Sequence, residues 1–257
     1  MRPIAVLLVL LMLPGPAFAG DGEASVLDRA GVAYREGEWE RAERLALEAD
    51  GARGHMLAAE AVLAALMTWK DGLDRPQAAR TAQEHAEEAL ARDDTLADAH
   101  LRLAAALGYR GRFMPAWRAW LAGIPQQGRD HILTALELDP DDPWAHALYG
   151  AWHMEVARRG GEGTLGASLQ TGLAHYRSAA RSAPDEPGIA YHLAIAQVAA
   201  DPDRFADEAA SWLDQAASAE VEEAFDRQMK QRAQDFAGLL ARDRQAAREE
   251  AVYRLEN

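Results

Sequence analysis

Residues 135–156 read ALELDPDDPWAHALYGAWHMEV, and the way this stretch must fold decides the architecture. Pro140 cannot continue the helix that ends in Ala135-Leu136-Glu137-Leu138, because it lacks an N–H and its ring clashes with the preceding turn. Asp141 and Asp142 follow at once, and their carboxylates can accept hydrogen bonds from the free N–H groups that open a new helix. The stretch is therefore a tight joint between two helices.

Working outward, similar joints recur along the chain. A missed period would misassign the whole fold, so repeats are sought first. Ala135, Leu136, Asp139 and Pro140 match the A-L-x-x-D-P ending of the tetratricopeptide repeat (TPR) family; with Pro143 as position one, His146 takes its large fourth position and Tyr149-Gly150 stands for its Leu-Gly. The stretch thus resembles one TPR unit passing into the next. Upstream, Ala30, Tyr34, Gly37, Trp39, Ala42 and Ala49 fall near the small, aromatic and turn positions of a first unit, with Glu36-Gly37-Glu38 as its turn. Met56 to Met67 and about Gln77 to Arg92 form a second, ending Ala89-Leu90-Ala91-Arg92-Asp93. The third opens at Ala97 and is interrupted by a long segment, Gly108 to Arg129, before a helix that runs to Leu138. The fourth begins at Pro143, is broken by Gly160-Gly161-Glu162-Gly163 and resumes near Leu169; the fifth begins at Pro187 and turns at Asp201-Pro202-Asp203. From Phe225 to Leu240, apolar residues at spacings of three and four mark a single helical stripe that would cap the array.

The middle is also similar to the core of the regulator of microtubule dynamics family, itself TPR-like. The shared pattern over roughly residues 82–200 includes His100, Gly108, Ile124, His131-Ile132, Ala135 to Pro140, His146, Gly150, Trp152 and Glu155-Val156-Ala157. This resemblance implies that the segment before His131 is helical. The expected fold is all-α, a right-handed superhelix of about five TPR-like helix-turn-helix units with a C-terminal capping helix.

Composition bounds the function. Arg2, an apolar run from Ile4 to Leu13, a Pro14-Gly15-Pro16 break and Ala17-Phe18-Ala19 give the layout of a secretory signal peptide cleaved after residue 19, leaving residues 20–257 as one helical domain. The expected location is the periplasm, or secretion. There is no cysteine, so thiolate and disulfide chemistry are excluded. The chain carries 27 basic against 41 acidic residues, a net charge of −14 that disfavours nucleic acid. No segment beyond the leader approaches the length of a membrane span. Apolar content rests on alanine, which favours helix over sheet.

Groove positions carried over from the TPR pattern are Tyr109 in the third unit, Trp144, Met154 and Glu155 in the fourth, and Tyr191 in the fifth. Rigid aromatic anchors of this kind suit a peptide or partner helix. Alternatively, inserted segments fill the groove and these residues are core. Between Asp98 and Asp130 the chain has no acid, and Arg110, Arg112, Arg118 and Arg129 accompany Trp117 and Trp120. That patch could meet an anionic envelope component or an acidic partner, or neutralise the protein's own acidic repeats. His146 and His153, with Glu155 and His175 as neighbours, invite a metal reading, but an i, i+7 gap of about 10 Å along the axis is too long for both to grip one ion. Gly160-Gly161-Glu162-Gly163 lacks the strand and lysine of a phosphate loop. No G-x-S-x-G or H-E-x-x-H occurs. The reading is a non-enzymatic scaffold, without metal or cofactor, that holds a protein or peptide partner in the cell envelope. The alternative is a small-ligand-binding accessory protein, serving transport, with an aromatic and arginine pocket into which Arg118 or Arg129 points.

Overall fold

The computed structural model describes residues 20–256, with side chains from residue 24; the leader read over residues 1–19 lies outside them. Among the described residues every regular element is a helix. In chain order the α-helices are α1 (Gly20–Glu36), α2 (Trp39–Leu47), α3 (Ala52–Met67), α4 (Arg75–Arg92), α5 (Ala97–Arg112), α6 (Ala116–Leu121), α7 (Ile124–Leu138), α8 (Pro143–Gly160), α9 (Leu169–Ser182), α10 (Pro187–Ala200), α11 (Pro202–Ser218), α12 (Ala224–Arg242) and α13 (Arg244–Glu256), with one 3-10 turn, Thr164–Gly166, between α8 and α9. Consecutive helices pair as α1 with α2, α3 with α4, α5 with α7, α8 with α9 and α10 with α11, and α12 packs back on α10 and α11. This is an all-helical, TPR-like repeat solenoid of five pairs and a C-terminal cap.

Aspartate and proline build the joints. Asp142 caps α8, its Oδ1 accepting from the N–H groups of Trp144 at 2.7 Å and Ala145 at 3.1 Å. Asp74 caps α4 and Asp201 caps α11 in the same way, each followed within two residues by a proline whose missing N–H costs nothing there. Small residues then let paired helices approach closely. A Cβ on Gly150 would lie 2.8 Å from the carbonyl oxygen of Gly172, so α8 and α9 meet backbone to backbone.

Histidines tie two of the pairs. His100 Nε2–H donates to the Asp94 carbonyl at 3.0 Å, which leaves its Nδ1 to accept from Nδ1–H of His131 at 2.9 Å. His146 repeats the arrangement one unit later, through the Pro140 carbonyl and His175, both at 3.0 Å. His146 is thus a joint between helices, with both ring nitrogens occupied.

The segment after Gly108 is mostly helical, as the family resemblance implied, since α5 continues to Arg112 and α6 follows. One feature differs from the sequence expectation. The cap is two helices: Asp243 adopts an extended conformation, and its Oδ1 accepts from the N–H groups of Gln245 and Ala246 at 3.0 Å, ending α12 and starting α13. The continuous stripe from Phe225 to Leu240 hides this break, because it stops just short of it.

Candidate functional site

The inner face of the first helices is where a groove was expected, and α12 and α13 fill it. Tyr191 on α10 is only 2 % exposed. Its hydroxyl accepts a hydrogen bond from Arg254 of α13 at 2.6 Å, and the Arg254 guanidinium also lies 5.3 Å from the Phe236 ring. Met154 and Tyr109 are buried as well, Met154 against Leu173 and Tyr176 of α9 and Tyr109 stacked on Phe113 at 6.3 Å. Trp144 is half-buried beside Phe225 of α12, and its Nε1–H donates to Glu186 at 3.2 Å. Of the five groove residues, then, three are core and Trp144 is partly covered by Phe225 of α12 and by the start of α10.

Glu155 is half-buried and gripped by Arg158 at 2.9 and 3.0 Å and by Arg159. Burial by itself would raise its carboxyl, but the hydrogen bonds and charge of Arg158, with Arg159 and Arg112 behind, hold it below the ordinary carboxylate value.

The arginines of the insert do not form one patch. Arg110 hydrogen-bonds to Gln83 on α4. Arg129 binds Asp130 at 2.9 Å, reaches the Leu165 carbonyl and lies 5.9 Å over the Trp152 ring. Arg112 lies 4.7 Å over Tyr109. Arg118 alone stays on the exposed surface of α6, beside Trp117 at 5.2 Å. On that helix Trp117 is 62 % exposed and Leu121 82 % exposed, one turn apart on a single face.

Behind α6 lies a feature that the sequence did not announce. An apolar cavity of about 140 Å³ opens between α5, α6, α7 and α8, with Trp120, Ile124, Ile132 and Trp152 among its walls. Its polar lining is Arg112, Glu155 and Arg159; Arg118 and Arg129 do not line it. A wider depression of about 640 Å³ where α10 turns into α11 is shallow and opposes Asp201, Asp203 and Asp243 to Arg242, Arg244 and Arg248, so its charges largely cancel.

The paired helices and the covered inner face define a TPR-like helical repeat protein. The sequence profile of the regulator of microtubule dynamics protein 1-3 family matches residues 55–240, and the chain belongs to that family. The match reaches beyond the segment that carried the resemblance in the sequence. Among solved structures, the chain is similar to TTC0263, a thermophilic TPR protein in Thermus thermophilus, with a TM-score of 0.60 and 20 % identity over 84 % of this chain and 99 % of that one. At that identity the likeness speaks for the fold alone. No curated protein sequence matches the chain. Among the described residues no helix is long and apolar enough to cross a membrane.

Proposed function

We propose that the protein is a non-enzymatic scaffold, exported to the cell envelope, that holds a protein or peptide partner. TPR-like folds generally mediate protein–protein interaction, and the leader-like residues 1–19 support export. The observation that carries the reading is the insert helix α6: its apolar face, Trp117 and Leu121, is turned to solvent in a protein whose other large apolar residues are mostly covered. Arg118 beside Trp117 adds a positive charge that favours an acidic partner or a peripheral anionic component of the envelope.

Photo-crosslinking in the native cell tests this. A crosslinker at position 117 or 121 is expected to trap one defined partner, and the same group at exposed Glu84 on α4 is expected to trap none. Equal trapping at all three positions, or none at any, defeats the reading. Fractionation of the same cells tests export, with recovery of the full-length chain in the cytoplasm as the contrary result.

A second reading, a small-ligand-binding accessory protein, is favoured by the cavity behind α6.

A further inference from the structure

The cavity is held open by glycine. Gly128 on α7 is buried, yet a Cβ built on it would meet nothing within 4 Å. Glycine is among the least favourable residues in a helix interior, because it loses the most backbone freedom on folding. Elsewhere in this protein such glycines have a packing reason: a Cβ on Gly172 would lie 2.7 Å from Met154 Cγ, and one on Gly150 would strike the facing backbone. Gly128 has no such neighbour. Gly108 on α5 sits at the exposed rim with nothing opposite it, and Gly111 would pack on Ile124 Cγ2 at 3.4 Å. All three line the cavity, in a chain that uses alanine freely for close helix packing. Only at Gly128 is the space both buried and empty.

The walls and rim say what would fill it. Trp152 is fixed in place by its Nε1–H, which donates to the Pro125 carbonyl at 2.7 Å, and Trp120 of α6 supplies a second indole. At the rim, Glu155 is already engaged by Arg158 and Arg159. Arg112 lies over Tyr109, and among the described residues no hydrogen bond or ion pair engages its guanidinium. In the lining itself two guanidiniums, Arg112 and Arg159, stand against one carboxylate, Glu155, and leave the rim positive. A volume of about 140 Å³ is close to that of an engineered apolar cavity of about 150 Å³ that takes up benzene.

We propose that this cavity binds a small aromatic carboxylate, its single ring in the apolar chamber beside Trp120 and Trp152 and its carboxylate on Arg112. The ring faces of the tryptophans favour a planar body over an aliphatic one. The planar guanidinium fork of Arg112 matches a carboxylate. The proposal rests on the small-ligand reading and names its ligand class.

Calorimetric titration of the mature chain with benzoate, its neutral amide benzamide and aliphatic hexanoate, alongside thermal melts, tests it. Benzoate is expected to bind the wild type about tenfold or more tightly than benzamide, and Arg112→Gln to remove that preference. Gly128→Leu is expected to abolish binding while raising Tm by roughly 2–4 °C, which shows that the fold is intact; Gly128→Ala narrows the chamber with less steric demand and is expected to weaken binding with a similar rise. Equal affinity for benzoate and benzamide, or tighter binding of hexanoate, overturns the ligand class and leaves a ligand cavity standing. Binding unchanged in both Gly128 variants overturns the location. If none of the three compounds binds, the proposal and the small-ligand reading fall together.

Discussion

His192 shows how much one enclosed side chain can bias this molecule. The residue as a whole is half-buried, but its Nε2 has neither exposure nor a partner among the described residues. Burial, and then the charges of Arg112, Arg232 and Arg254, push its pKa down to about 3. Because the folded value lies below the unfolded value of about 6.5, the unfolded chain takes up the proton first. Stability from this residue is therefore present above pH 6.5 and is lost as the pH falls from there towards about 3. His55, His131, His153 and His175 are shifted the same way, in each case first by burial. Asp226 acts in the opposite sense: burial, and then Glu186 and Glu223, raise it to about 6, so mild acid relieves a repulsion there. A comparison with His192→Gln isolates the histidine. At pH 5 the wild type is expected to lose about 2 kcal/mol more than the variant relative to pH 7.5, read from urea midpoints at the two pH values.

At the scale of the element, the helix joints were legible and the helix surfaces only partly so. Aspartate before proline, or two residues ahead of a free N–H, fixes a turn by local chemistry alone, and Asp142-Pro143 and Asp201-Pro202 both mark helix starts. Removing the cap in Asp142→Ala leaves two N–H groups of α8 without their acceptor, and is expected to cost about 1 kcal/mol, a fall in Tm of roughly 2–4 °C by circular dichroism. The joint at Asp243 depends on the same chemistry but carries no proline or glycine, and the apolar stripe ahead of it reads as one long helix. The cavity is harder still. Gly150 and Gly128 look alike in sequence, and only the crossing of α7 with α5 and α8 shows that one faces backbone and the other a void. Of the residues read as inner-face positions, Tyr191 lies under the C-terminal pair, whereas Met154 packs against its repeat partner α9 and Tyr109 against α3 and α4. What covers that face is set by a fold-back tens of residues away, which no local pattern records.

At the scale of the whole molecule, α13 is a polar helix with only Ala247 and Ala251 buried, yet it covers Tyr191 and Phe236 and is anchored by Arg254 to Tyr191 and by Glu256 to Arg158 at 3.2 Å. Ending the chain after Asp243 strips that cover. The expected result is a loss of about 3 kcal/mol or more, a fall in Tm of roughly 6–12 °C and a rise in binding of a hydrophobic dye. A truncated chain that melts like the full one would show that α13 contributes nothing to holding the inner face. The turn after α3 meets the same C-terminal pair from the other side. Arg232 of α12 donates to the Thr68 carbonyl at 2.8 Å, and Trp69, in the left-handed region at φ 52°, meets Tyr253 at 5.4 Å and carries the Arg75 and Arg232 guanidiniums over its ring. An open array of repeats touches only its nearest neighbours and can peel apart from either end. Here residues 164 positions apart in the chain are stapled together, so one end of the array is tied back on its middle, and the expected outcome is a single cooperative melt with coincident circular-dichroism and tryptophan-fluorescence transitions.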